Sequence, residues 1–453
     1  MEQSADEIAA ACEGVASAQR VQSLVPPAGS SLPGPGRRFA ATGAGMALDD
    51  RWHAQSARTD ARAATRGDVV GPCASGQTRY PRYVSRAAGP YLWDLEGRRY
   101  VDFTLGYGPV VLGHADERVT EAVLAELRNG HCIAPLWSRR QSELTDLLTA
   151  VVPGAEMAYL LKTGSDATST AVRLSRIFTG RDKVIRWGYN GWHDWAAGIP
   201  AGIPEATRAD TLLFDYNDLS TLRDAFARHP GQVACVLMMP FGDETAPAGH
   251  LQKIRDIAHE HGALFVLDEM RSGFRVGLSG AQGLLGVRAD LSTFSKAMAN
   301  GHPISAVVGR ADVLSTLART RISSTFYADP APMAAALATI RILRDTDALE
   351  RIWTAGVAFQ DGLSALVDRY RVPARVVGYP PMPFLQFTHP DPVMRERMST
   401  AFAAEAARHG VLLHPSHQWF LSAAHTADDI EFALHGCDQA LTALEPELAT
   451  QTA

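Results

Sequence analysis

The chain has 453 residues, 46% of them hydrophobic and 20% charged, with 43 basic against 49 acidic residues and a net charge of −6. A chain of that length supports two or three domains around a large core, and its mild acidity argues against nucleic acid or an acidic membrane surface as the main partner. No run of about 18 apolar residues is present, so no membrane span is expected.

The first twenty residues, MEQSADEIAAACEGVASAQR, start acidic and lack a basic stretch followed by an apolar one, so a secretory signal is not expected. The cysteines, Cys12, Cys73, Cys132, Cys235 and Cys437, form no CxxC pair and lie far apart. They suit a reducing compartment better than a disulfide framework, and the cytoplasm is the simplest location.

Residues 1–70 differ from the rest. Ser4 to Leu24 can form one Ala-rich helix, Pro26 to Gly36 is a breaker-rich linker, and Arg51 to Arg66 is charged and weakly periodic. This segment reads as an arm that is disordered in part or that contacts a partner subunit. Tyr91 to Phe103 predicts a hairpin, two alternating runs around Glu96-Gly97, and Asp116 to Asn129 an amphipathic helix.

From about residue 155 the pattern becomes β/α alternation. Strand-like runs fall at Ala158–Lys162, Lys183–Trp187, Thr211–Phe214, Val233–Met239, Ala263–Leu267, Leu291–Phe294 and Ser305–Gly309. Helical patterns lie between several of them, at Asp166–Phe178, Leu219–Arg228 and His250–His261. The alternation predicts an α/β fold with a mostly parallel seven-stranded sheet and helices on both faces. After about residue 330 the pattern turns α+β. Helices are expected at Ala331–Leu343, Leu349–Arg369, Pro392–His409 and Ala427–Ala443, and strands near Arg375–Gly378, Phe384–Phe387, Leu412 and Trp419–Ser422. The expected division is an arm over 1–70, the N-terminal part of a small domain over 71–110, a large domain over 111–330, and the C-terminal part of the small domain over 331–453.

Ligands of such sheets bind beyond the carboxyl ends of the strands. Two residues with chemistry fall there. Asp268 ends one strand-like run, and Lys296 follows another 296 − 268 = 28 residues later. A lysine at one strand end and a carboxylate at another is the pairing that pyridoxal 5'-phosphate (PLP) requires: the amine forms a Schiff base and the carboxylate keeps the pyridine nitrogen protonated. The small or apolar neighbours Met298, Ala299, Gly301 and Pro303 suit a dry pocket, in which the pKa of a lysine falls. Asp268-Glu269 also resembles a Walker B or metal site, but neither a phosphate-binding lysine loop nor a cluster at metal-ligand spacing accompanies it.

Thr163-Gly-Ser-Asp-Ala-Thr-Ser-Thr follows a strand and opens a helix. Gly164 and Ser165 can present amides and a hydroxyl to a phosphate, or Thr163 or Ser165 can serve as a plain N-cap. Trp187-Gly-Tyr-Asn-Gly-Trp-His-Asp-Trp195 offers Tyr189 as a ring to stack on a flat cofactor, although aromatics are more often packing residues, and His193 suits a satisfied loop position. Thr325, in a hydroxyl-rich stretch before a helix, suits a phosphate contact or a local cap.

In combination these motifs resemble a family. GPYLWDLEGRRYVDF, LGHAD, TGSDATSTAVRLSRIFTGRDKV, GYNGWHD, LDEMRSGFRVG, ADLSTFSKAMANGHPISAVVG and SSTFYADP, in this order, resemble the class III aminotransferases, PLP enzymes of fold type I, from about Gly89 to the C-terminus. The branch that includes glutamate-1-semialdehyde aminomutase is the most similar. The resemblance implies that Lys296 is the Schiff-base lysine and Asp268 the partner of the pyridine nitrogen. It places Met270 on the ring face opposite Tyr189, with Gly164 and Ser165 as the phosphate loop. It further implies a homodimer with shared active sites, Thr325 reaching the partner's phosphate, and Tyr107 in the substrate pocket. Two departures stand near the site: Asn190 where the family commonly has histidine, and Met239 where it usually has glutamate, both counted here with the substrate pocket. The resemblance implies an amino group moved to or from a non-α carbon of a small molecule, with an amine and a keto or aldehyde compound as substrates. An amino sugar or aminocyclitol of a natural-product pathway, antibiotic biosynthesis included, is the substrate expected. A 1,2-aminomutase, a PLP-dependent elimination or epimerisation, and a silent PLP-binding scaffold are the rivals.

Overall fold

The computed structural model describes residues 47–61 and 80–449. The helix expected over Ser4–Leu24 and the linker over Pro26–Gly36 lie outside the described residues. The chain divides into two compact units. In described residues, one unit comprises Gly108–Val111 and Glu117–Leu349, and the other comprises 47–61, 80–107, Leu112–Asp116 and 350–449.

In the second unit β1 (Val84–Ala88), β2 (Tyr91–Asp94) and β3 (Arg99–Asp102) form an antiparallel meander. The hairpin read around Glu96-Gly97 is its β2–β3 turn. Helix Ala47–Ser56 is tied to this sheet through Asp49, a buried carboxylate that accepts the amides of Arg82 and Tyr83, each at 3.0 Å.

The first unit is built on a seven-stranded sheet. Its strands are β4 (Met157–Leu161), β5 (Lys183–Trp187), β6 (Thr211–Leu213), β7 (Val233–Met238), β8 (Leu264–Asp268), β9 (Leu291–Phe294) and β10 (Ser305–Gly309), in the order β4-β10-β9-β8-β7-β5-β6. Strands β9, β8, β7, β5 and β6 pair in parallel, whereas β10 is antiparallel to both of its neighbours. The mostly parallel seven-stranded sheet expected from the sequence is therefore what forms.

The unbroken apolar run of β7 shows why. All six of its residues are buried, because both faces of the sheet are covered. Val236 and Met238 face one core with Phe265, Leu267 and the helices Leu219–Arg228 and His250–Glu260. Cys235 and Leu237 face the other with Val266, Leu291 and helix Gly164–Thr179. Each fully buried Leu, Ile or Phe contributes about 1.5–3 kcal/mol to this arrangement.

Helix Pro330–Asp345 belongs to the sheet unit and packs on helix Glu117–Arg128 and on the short turn Lys296–Ala299. The second unit also holds β11 (Ala374–Val377) paired with β12 (Phe384–Phe387), and β13 (Val411–Leu412), which joins β3 in parallel. Trp419–Ser422, expected as a strand, makes no ladder. Its amides bond singly to carbonyls of two segments: Trp419 and Leu421 to Pro383 and Pro381, and Phe420 to Phe103.

Candidate active site

Because β4, β5, β7, β8 and β9 run the same way, their carboxyl ends share one edge of the sheet. Register sets the residues along it: Trp187 pairs with Met238, Met238 with Leu267, and Asp268 with Thr293. Just beyond lie Gly188, Met239 and Lys296. The antiparallel β10 starts at the same edge and fastens it. Ser305 Oγ donates to the Thr163 carbonyl at 2.7 Å, and Ser295 Oγ to the Ile304 carbonyl at 2.8 Å. Lys296 sits between these ties with a backbone φ of 46°, a region a lysine seldom adopts. Such strain persists where surrounding structure over-determines it.

Asp268 is 1% exposed. Its Oδ2 accepts from Asn190 Nδ2 at 2.9 Å and its Oδ1 from the Met270 amide at 3.1 Å. Burial pushes its carboxyl above the ordinary range, while Asn190, the Met270 amide, Lys296 and Arg271 pull it back. Burial also pushes the Lys296 amine down to about 8, with Arg271 adding to the push and Asp268 opposing it. A half-buried lysine and a buried carboxylate thus influence each other at neighbouring strand ends.

At the end of β4, Thr163 caps helix Gly164–Thr179. Its hydroxyl accepts the Asp166 amide at 3.2 Å, and Asp166 accepts the Thr163 amide at 2.8 Å. The N-cap is thus Thr163, and Ser165 is not needed for it. The amides of Gly164 and Ser165 lie ahead of the helix's own ladder, at its positive end. Glycine is required at Gly191 (φ 109°), where a Cβ would stand 2.5 Å from Ser165 Oγ, whereas one on Gly164 would stand 2.9 Å from Met270 Sδ and displace that side chain.

The aromatic loop after β5 is stitched to the same helix by a row of hydroxyls. Ser165 Oγ accepts the Trp192 amide at 3.3 Å, and Thr168 Oγ1 donates to the Asn190 carbonyl at 2.7 Å. Ser169 Oγ meets His193 Nδ1 and Trp195 Nε1, each at 2.8 Å. Tyr189 and Trp192 are left with open faces, each 70% exposed. Met239 is half-buried and lies over Gly188, its Cε 2.4 Å from where a Cβ would stand.

The contacts therefore gather Lys296, Asp268, Asn190, Met270, Gly164, Ser165, Tyr189 and Met239 along one edge. Asn190, expected in the substrate pocket, is 1% exposed and turns its side-chain amide to Asp268. Thr325 stands on the exposed tip Ser323–Phe326, whose flanks are held by Tyr159 Oη on the Ile322 carbonyl and by Lys162 and Asp329, 3.5 Å apart. Tyr107 lies in the second unit, its hydroxyl 3.4 Å from His414 Nε2 and its ring 5.1 Å from that of His417.

Residues not singled out from sequence also shape the edge. Thr168 and Ser169, at three- and four-residue spacing from Ser165, carry the stitching, and that spacing was the available signal. Arg271 is half-buried, donates to the carbonyls of Phe241 and Gly242, and feels the charge of Asp243. Glu269 is committed elsewhere. It accepts the hydroxyl of Ser272 and the amides of Ala281 and Gln282 at 2.9 and 3.0 Å, fixing the start of helix Gly280–Leu285. Because each of its oxygens receives an N–H, a Gln there must turn its own NH2 against one of them. Glu269→Gln is expected to cost about 1–3 kcal/mol in urea unfolding, with no direct loss of cofactor contacts.

These residues fit PLP: an amine, a buried carboxylate held from both oxygens, a helix start for a phosphate, and an open aromatic face. The chain matches the family model of class-III aminotransferases over residues 73–446. It is 35% identical over 379 residues to the aminopentol aminotransferase of Sphingopyxis macrogoltabida, covering 82% of this chain and 89% of that one. It is 34% identical over 369 residues to the 2'-deamino-2'-hydroxyneamine transaminase of Streptomyces kanamyceticus, covering 81% and 93%. The PLP-bound form of the FumI protein of Sphingopyxis sp. MTA144 superposes with a TM-score of 0.83 at 32% identity, over 89% of this chain and 98% of that one. With the sheet, the strand-end lysine and the strand-end carboxylate in place, the chain belongs to the class III aminotransferases and is a PLP-dependent transaminase.

Proposed function

We propose that Lys296 and Asp268 are the catalytic pair, and that the amino group moves to or from a non-α carbon of a hydroxylated small molecule of the amino-sugar or aminocyclitol class. The observation that carries the assignment is the meeting of this half-buried lysine and this buried carboxylate at adjacent strand ends. The substrate class is supported by two relatives named for an aminopentol and a hydroxyneamine. When bound, PLP supplies an electron sink conjugated to the amine-bearing carbon of the substrate. Lys296, with an amine pushed down to about 8, is partly neutral near pH 7. A neutral Nζ can condense with a carbonyl, releasing water; once a substrate amine has displaced it, the freed Nζ can lift a proton from the amine-bearing carbon and return it on the far side of the C–N unit. Asp268 would hold the proton of the pyridine nitrogen, Tyr189 and Met270 would cover the ring and exclude water, and the amides of Gly164 and Ser165 would bind the phosphate.

Met239 gives the substrate side of the edge an apolar, uncharged wall, so the group beside it is read by shape. The finer reading also includes a cytoplasmic homodimer in which the Ser323–Phe326 tip brings Thr325 to the partner's phosphate site, and a role in natural-product or antibiotic assembly. The exposed Leu136 and Trp137 are consistent with a buried subunit contact.

The experiment is incubation of the holoenzyme with a panel of amino sugars, aminocyclitols and simple amines, with and without a keto acid. Amine consumption that requires the keto acid supports transfer. Turnover of an amino-aldehyde alone identifies an aminomutase, and a dehydrated product without amine exchange identifies an elimination.

Loading of PLP onto the apoenzyme tests the lysine separately. Only the neutral amine reacts, so the loading rate is expected to rise about tenfold per pH unit below about 8 and to level above it. An exposed lysine would keep rising towards about 10.4. Stopped-flow absorbance reads the profile.

A further inference from the structure

Resting on the assignment of Lys296 and Asp268 above, we propose that Asn190 is a positioning residue that orients Asp268 toward the cofactor's ring nitrogen and keeps that nitrogen protonated across the working pH range. Asn190 and Asp268 are each 1% exposed and joined Nδ2 to Oδ2 at 2.9 Å. The backbone that carries this side chain is held in turn, since Thr168 Oγ1 donates to the main-chain carbonyl of Asn190 at 2.7 Å. The other carboxylate oxygen takes the Met270 amide at 3.1 Å. The carboxyl plane is thereby set by one backbone donor, which no side-chain substitution removes, and by one side-chain donor, Asn190. Each oxygen keeps a second lone pair for a further N–H.

The charged groups facing Asp268 are Lys296 and Arg271, which favour its anion, and its chain neighbour Glu269, which opposes it. Lys296 changes charge near neutrality, so it gives a support that varies with pH. The Asn190 amide donates at every pH at which the protein is folded. An imidazole in its place would donate or accept according to tautomer and protonation. The choice of an amide thus makes the side-chain support of Asp268 independent of pH.

The test is reconstitution of wild type, Asn190→Ala and Asn190→His with PLP carrying nitrogen-15 in the ring. The nitrogen resonance is followed over about pH 6 to 9, the range in which an imidazole titrates. Wild type is expected to show a protonated ring nitrogen throughout. In Asn190→Ala the resonance is expected to move toward the unprotonated value, and kcat to fall about 10- to 100-fold, the worth of one hydrogen bond to a charged group. KM should change by less than about threefold, because the lost interaction serves the transition state. Asn190→His is expected to restore much of kcat but to add a pH dependence to the resonance. A wild-type resonance and kcat in folded Asn190→Ala overturn the proposal. If that variant does not fold, a pH-independent, wild-type resonance in Asn190→His overturns it equally. An unprotonated nitrogen in wild type would instead overturn the assignment of Asp268.

Discussion

Lys296→Ala is expected to abolish amine transfer, lowering kcat by at least about 10⁴-fold, because it removes both a nucleophile and a general base at one atom. The fold should survive. The lost side chain is a buried amine whose protonated form is disfavoured there, and deleting it removes a charge that the core bears at a cost. The turn that carries it is held independently by Ser295 on the Ile304 carbonyl and by packing of helix Pro330–Asp345. The measurement is single-turnover amine transfer beside a thermal melt. Wild-type transfer by the alanine protein would show that another group carries the proton. Loss of transfer with a lowered melting point would show that the lysine was structural.

Asp268→Asn is expected to lower kcat by about 10²- to 10³-fold, the range for removal of one preorganised electrostatic group from a dry site. The shape is nearly retained, so the loss reports charge. A second effect follows from the geometry. Both carboxylate oxygens receive N–H donors, from Asn190 and from Met270. An amide at position 268 sets its NH2 against one of them unless Asn190 turns its own amide over, so the further cost in stability is at most about 1–3 kcal/mol. Turnover and urea unfolding measured together separate the two effects. Unchanged kcat in a folded Asp268→Asn protein would sink the role given to this carboxylate.

Much of this was legible in the sequence because the relevant physics is local. The buried run Val233–Met238 declares a strand covered on both faces. Asp391 before Pro392 and Asp329 before Pro330 announce helix starts, and both side chains do cap. Strand-end positions of Asp268 and Lys296 could be read from where apolar runs stop. Harder features depend on meetings distant in sequence. Asn190 and Asp268 are 78 residues apart, so nothing near either announces their bond. Trp419–Ser422 has a strand's composition, but its amides go to separate segments rather than one partner strand. Helix Arg139–Val151 was not anticipated, although Ser138 caps it, because Arg139-Arg-Gln-Ser opens it without an apolar stripe.

The hydroxyl stitching between helix Gly164–Thr179 and the loop after β5 has a consequence for how the enzyme can be altered. Anchored and open positions alternate along that loop. Asn190, Gly191 and His193 are committed to Asp268, Ser165 and Ser169, whereas the rings of Tyr189 and Trp192 project outward. Chemical variety can therefore be introduced at Trp192, while Tyr189, given to the cofactor's ring, the seat of the phosphate and the carboxylate clamp keep their places. A change in loop length, by contrast, would shift every stitch at once. The loop thus separates what a lineage or an engineer can vary, the surface offered to an incoming amine, from what must stay fixed to hold the cofactor.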